Sequence, residues 1–271
     1  MSGLESVDGS ETISGPESDP GSFTVVGSTA EAESATLSRL RAVEARIVAA
    51  AEAAGRDPAA IRLLPVTKTH PASALRPVIA AGYRRFGENR VQELVDKANQ
   101  LRAVEGLEWV VIGHLQTNKA KAAVTAAVEI QSLESLKLAA ALQRHLEAED
   151  RTVEVLIEVN TSGESTKFGL PPVEVVSFAQ ALRAYDRLRP RGLMTLALPS
   201  PDPNLVMPCF EALVDLQAQL RDRDGGGWDE LSMGMSGDFE FAIAAGSTCV
   251  RIGSAIFGPR PTPVQPEPPR P

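Results

Sequence analysis

Lys68 closes an apolar run, Leu63-Leu64-Pro65-Val66-Thr67, and a polar stretch marked by a proline, Thr69-His70-Pro71, follows at once. A lysine held where a buried strand opens into a loop loses hydration, titrates lower and can attack a carbonyl carbon. Its amine ordinarily titrates near 10.4, so at neutral pH roughly one molecule in a few thousand presents the nucleophilic form, and the surroundings must help. An ordinary surface lysine at a strand end would look the same locally, so the rest of the chain has to decide.

Far along the chain, two small-residue turns, Met235-Ser236-Gly237 and Ile252-Gly253-Ser254, each follow a short β-type run. Glycine lets the backbone approach closely, hydroxyls donate, and a following helix offers N–H groups to an anion, so the pair suits a phosphate dianion. Arg251 alternates with Val250 and points opposite to its apolar neighbours; it is read either as an ion-pair partner of a carboxylate such as Glu158 or as a donor to a heteroatom of a bound ring. Asn89, after Gly87 and Glu88, either contacts a ligand or closes its own turn. His114, beside Gly113, reads as a structural hydrogen-bonder more readily than as an acid or base. The charges of the segment from Asn160 to Gly169, Glu164 and Lys167 among them, fit a solvated loop over the site.

These residues need elements to position them. From Thr36 to Ala54 the apolar positions Leu37, Leu40, Val43 and Ile47 recur every three to four residues before Gly55, which predicts one amphipathic helix with a stop signal. Beyond it the strand candidates are Arg62 to Thr67, Arg84 to Phe86, Trp109 to Ile112, Val128 to Gln131, Val153 to Val159, Arg191 to Met194, Glu230 to Ser232 and Thr248 to Ile252. Helical patterns separate them, such as Val91, Leu94, Val95, Ala98 and Leu101. Eight strands alternating with helices predict an α/β fold, a single (β/α)8 TIM-type barrel with an extra N-terminal helix. An open doubly wound sheet is the alternative, but no Gly-x-Gly-x-x-Gly follows the first strand. Such barrels build their sites from the loops at the carboxyl ends of the strands, and there Lys68, Asn89, His114, Asn160, Thr195, Ser236 and Ser254 converge on one mouth.

Composition bounds what that mouth serves. The formal net charge of -8 arises from seven acids before Arg39 with no base among them (Glu5, Asp8, Glu11, Glu17, Asp19, Glu31 and Glu33), and the remainder is close to neutral. No basic face for nucleic acid is expected. Residues 1–35 read as a disordered acidic tail, residues 36–258 as the barrel and residues 259–271 as a proline-rich disordered tail. With no secretory leader and no long apolar segment, the chain reads as a cytoplasmic protein that does not enter membranes. Cys209 and Cys249 lack metal-ligand spacing and read as buried small hydrophobes.

An imine-forming lysine and a phosphate turn on one mouth fit a ligand bearing both an aldehyde and a phosphate. Pyridoxal 5'-phosphate (PLP) satisfies both, and so does the substrate of a sugar-phosphate aldolase. The stretches Val66-Thr67-Lys68-Thr69, Phe86-Gly87-Glu88-Asn89-Arg90-Val91-Gln92-Glu93, Ile112-Gly113-His114-Leu115-Gln116-Thr117-Asn118-Lys119 and Leu231-Ser232-Met233-Gly234-Met235-Ser236-Gly237-Asp238 resemble those of the pyridoxal phosphate homeostasis proteins, single-barrel relatives of the alanine racemase barrel. The resemblance runs from about Thr36 to about Gly258 and takes in Lys167-Phe168-Gly169, Arg191-Gly192-Leu193-Met194-Thr195 and Arg251-Ile252-Gly253-Ser254.

It implies that Lys68 carries PLP as a Schiff base, that Ser236, Gly237, Gly253 and Ser254 hold its phosphate, that Arg251 faces the pyridine nitrogen and that Asn89 lies near the ring. It also implies a monomeric protein that binds and buffers the cofactor without established turnover, with PLP-dependent apoenzymes as partners. The competing expectation is a weak PLP-dependent racemase. Racemases of this barrel type draw a second base from another domain, and after the eighth strand candidate only the proline-rich tail follows. Val110 departs from the resemblance, at a position where a histidine is frequent, and is expected to alter the pocket wall.

Overall fold

Each β-type run of the sequence is followed by a helix, and the computed structural model, which describes residues 26–259, lays the runs side by side as eight parallel strands. The first helix, α1 (Val26–Ala53), precedes them. Then β1 (Arg62–Pro65) leads to α2 (Arg76–Ala80), β2 (Arg85–Glu88) to α3 (Val91–Gln100), β3 (Glu108–Val111) to α4 (Ala120–Ala126), and β4 (Glu129–Leu133) to α5 (Leu136–Ala148). The second half repeats the pattern: β5 (Val153–Glu158) and α6 (Val175–Leu182), β6 (Leu188–Met194) and α7 (Pro203–Asp224), β7 (Glu230–Ser232) and α8 (Phe239–Ala245), β8 (Cys249–Ile252) and α9 (Ser254–Phe257).

The strands neighbour one another in the order β1-β8-β7-β6-β5-β4-β3-β2. A parallel bridge from Val66 to Gly87, with the Thr67 N–H donating to Gly87 O at 2.9 Å, brings β1 against β2 and closes the ring. The expected TIM-type barrel is therefore the observed fold. Strands this short, buried on both faces, are what a parallel barrel requires. At Gly192 the closeness of β6 and β7 is visible directly, since a Cβ there would lie 1.8 Å from Glu230 O.

Helix α1 buries Leu40, Val43, Ile47 and Ala51 against α2, α8 and α9, as its periodicity demands, and Arg39 Nε donates to Ile256 O at 2.8 Å. It stops where expected, with Gly55 left-handed and the Arg56 N–H capping Ala51 O. It starts at Val26 rather than Thr36, so residues 26–35, read from composition as tail, are helical here. Residues 30–35 are exposed, so no buried apolar periodicity announced that first stretch. Strand β6 likewise starts at Leu188, before the expected Arg191. The acidic and proline-rich tails, as far as they were expected at 1–25 and 260–271, lie outside the described residues.

The barrel interior is divided. One side is an apolar cluster of Leu64, Val66, Val110, Ile112 and Cys249. The other carries a hydrogen-bonded chain upward from the amino ends of the strands: Arg62 grips Glu129 at 2.8 and 3.0 Å, Gln131 Nε2 donates to Glu129 Oε1 at 2.6 Å, Ser232 Oγ donates to Gln131 Oε1 at 2.7 Å, and Arg251 Nη1 donates to Ser232 Oγ at 2.7 Å. Burial pushes the Glu129 carboxyl up, but the bonds from Arg62 outweigh it and hold the group below its ordinary range.

Candidate functional site

At the carboxyl ends of the strands lies a cleft of about 460 Å³. Lys68, Asn89, Ser236, Gly237, Arg251, Gly253 and Ser254 all line it, so every residue singled out for cofactor chemistry meets in one place. A larger cleft of about 870 Å³ lies outside the barrel between α3 and α4 and contains none of them.

The backbone around Lys68 is pinned on both sides. Thr67 donates from Oγ1 to Glu88 Oε2 at 2.8 Å, and its carbonyl accepts from Lys97 Nζ at 2.7 Å. Thr69, a β-branched residue in the left-handed region at φ 66°, donates its N–H to Glu93 Oε2 at 3.0 Å. A non-glycine residue held there is strained, and the bond to Glu93 helps hold it. The buried Lys97 in turn ion-pairs with Glu88, and Glu93 approaches it at 3.7 Å. Glu88 Oε1 also accepts the Asn89 N–H at 2.9 Å, so one buried carboxylate fixes both the lysine segment and the Asn89 loop. Gly113 allows that loop to sit where it does: a Cβ on it would lie 2.4 Å from Asn89 O.

The two small-residue turns come together as read. The Arg251 N–H donates to Gly234 O at 3.0 Å, which aligns the ends of β7 and β8. Ser254 Oγ then meets Ser236 Oγ at 3.3 Å, and the Ala255 N–H reaches Ser236 Oγ at 3.4 Å. Asp238 Oδ1 accepts the Met235 N–H at 2.5 Å and braces the first turn; burial pushes its carboxyl up.

Arg251 does not pair with Glu158, the carboxylate offered as its partner. It is 3% exposed and donates to Ser232 Oγ and, through Nη2, to Thr195 O at 2.7 Å. Glu158 feels it only as a charge nearby. The sequence missed this because cross-barrel distances are not in it. His114 is a structural hydrogen-bonder, with Nδ1 2.7 Å from Glu134 Oε1 and its ring stacked on Phe168 at 3.9 Å. The loop after β5 is ordered by its own bonds rather than merely solvated. Asn160 Nδ2 donates to Glu164 O at 2.8 Å, Lys167 pairs with Glu164 and donates to Ala197 O at 3.1 Å, and Gly169 N–H donates to Glu134 Oε2 at 2.8 Å. Phe168, 54% exposed, is thereby set over the mouth.

Val110 lies in the apolar interior cluster beneath the cleft, which is lined by Val66 and Ile112 from that cluster and not by Val110 itself. His70, whose imidazole burial pushes down, and Glu158 also line the cleft; the sequence offered Glu158 only as a partner for Arg251 and gave His70 no role.

The fold and this cleft define the class of protein. Residues 38–261 match the family of the alanine racemase N-terminal domain. The pyridoxal phosphate homeostasis protein of Escherichia coli strain K12 is 44% identical over 226 residues, covering 82% of this chain and 95% of that protein. That of Pseudomonas aeruginosa is 42% identical over 218 residues, covering 80% and 93%. Among solved structures, PipY of Synechococcus elongatus with PLP bound superposes with a TM-score of 0.73 at 32% identity, over 82% of this chain and 100% of that one. The chain belongs to the pyridoxal phosphate homeostasis protein family.

Proposed function

We propose that this protein binds PLP reversibly in the cleft, covalently through Lys68, and buffers the coenzyme for PLP-dependent apoenzymes without substantial turnover of its own. It acts as a cytoplasmic monomer. One observation carries the reading: a lysine, a paired serine-glycine turn and a buried guanidinium face one cleft in a chain whose relatives are named for PLP homeostasis. PLP bound to PipY supports the same reading.

The residues present fit the coenzyme. Lys68 offers an amine; Ser236, Gly237, Gly253 and Ser254 offer hydroxyls and close backbone approach for a phosphate; Arg251 and Asn89 offer donors to a ring. When bound, PLP supplies an aldehyde for capture by an amine and, in enzymes, an electron sink. Arg251, held by Ser232 and Thr195, would disfavour protonation of a ring nitrogen set against it, a feature that alanine racemase-like sites share and that does not separate storage from catalysis. Both cysteines are free and buried, in keeping with a reducing compartment. Among the described residues no helix is long and apolar enough to cross a membrane.

Borohydride reduction of the loaded protein followed by peptide mapping is expected to place the adduct on Lys68. A Lys68→Ala protein that takes up PLP as firmly and with the same colour would overturn the reading. The competing racemase reading rests on the same imine chemistry, which can labilise a carbon-bound proton. Exchange of α-deuterium on amino acids above the rate of free PLP would establish it, and no excess exchange would dismiss it.

A further inference from the structure

Glu158 ends β5 with its side chain at the barrel mouth, where it lines the same cleft as Lys68 and Arg251. It is 5% exposed, and its Oε2 is buried with no hydrogen-bond partner among the described residues. Polar groups buried this deeply almost always have a partner, and a carboxylate left without one is costly. The Arg251 guanidinium, whose charge acts on Glu158, is directed instead to Ser232 Oγ and Thr195 O. A buried acid oxygen at the edge of a cleft is placed to meet a polar atom of a bound molecule.

We propose that Glu158 is a ligand contact of the cleft, donating a hydrogen bond from its protonated carboxyl to an acceptor on the bound molecule, and that its ionisation weakens the hold. This rests on the reading of the cleft as a PLP site, and it names a residue whose ionisation adds to the pH dependence of retention.

The electrostatics around the group agree with its geometry. Burial first, and the Glu134 carboxylate after β4 second, push the Glu158 carboxyl up to about 7, while Arg251 on β8 pulls it partway back. The other titratable groups lining the cleft are Lys68 after β1, His70 beyond it and His114 after β3. At the lower edge of the physiological range Glu158 is therefore an acid with a proton to donate. Above it, the group is an anion facing a ligand that itself carries a phosphate, and the donor becomes a repulsion.

The test is equilibrium dialysis of PLP against the full chain at about pH 6 and about pH 8, for the parent protein, Glu158→Gln and Glu158→Leu. An acid titrating near 7 that must be protonated in the complex weakens the apparent affinity about tenfold across that interval. Titration of free PLP is common to all three proteins, so the comparison is made between the proteins at each pH. The parent is expected to lose about tenfold more affinity than Glu158→Gln, whose amide keeps a donor, while Glu158→Leu binds weakly at both pH values. Parallel profiles for the parent and Glu158→Gln would overturn the proposal, as would a Glu158→Leu protein that binds as tightly as the glutamine variant. Borohydride trapping in the same samples separates the two failures: a parent protein that traps no PLP on Lys68 defeats the reading of the cleft, whereas normal trapping with parallel profiles defeats only the role of Glu158.

Discussion

Replacing Lys97 by methionine tests how the Lys68 segment is held. Lys97 is 5% exposed on α3; its ammonium donates to the carbonyl of Thr67, the residue before Lys68, and neutralises Glu88, which is fully buried. Methionine matches the length of the stem but removes the charge. Glu88 would keep the Thr67 hydroxyl at 2.8 Å and the Asn89 N–H at 2.9 Å but lose its counter-ion. Breaking one partner of a buried pair costs about 3–5 kcal/mol, because the other charge is left uncompensated. Neutralising Glu88 as well should return much of that, so Glu88→Gln in the Lys97→Met background is expected to recover about half or more of the loss. Urea unfolding of the ligand-free proteins at neutral pH measures both numbers. PLP affinity measured alongside should fall in Lys97→Met, since the Thr67 carbonyl is released and the strained Thr69 is held on one side only. The reasoning is refuted by a single-variant loss under about 1 kcal/mol, or by a double variant no more stable than the single.

Two further outcomes can be checked with the same proteins. The Glu158 carboxyl titrates near 7 when folded and, like any glutamate, near 4.5 when unfolded, so the folded state binds its proton more tightly and stability falls as pH rises between those values. Glu158→Gln should therefore stabilise the ligand-free protein by up to about 3 kcal/mol above pH 7 and by little below about pH 4.5, as measured by urea unfolding; an equal gain at both ends contradicts the assignment. Gly113→Ala sets a methyl against Asn89 O at 2.4 Å, and is expected to cost about 1–3 kcal/mol and to weaken PLP binding by displacing the Asn89 loop. Parent-like affinity in dialysis would remove Asn89 from the site.

The sequence by itself carried the architecture and most of the cleft. Strand runs such as Val153 to Val159 are apolar because both faces of a parallel barrel strand are buried, and that pattern is local and readable. Barrels build their sites at the carboxyl ends of the strands, so Lys68, Ser236 and Ser254 could be named as candidates from residue type and position together. What tertiary structure decided were the partners. Whether Arg251 bonds Glu158 or Ser232 depends on angles across the barrel, and the grip of Lys97 on Thr67 joins residues on α3 and after β1 that no spacing connects. The Oε2 of Glu158 is the extreme case: an oxygen with no partner among the described residues leaves no pattern in the chain, because its meaning lies in what all its neighbours do instead.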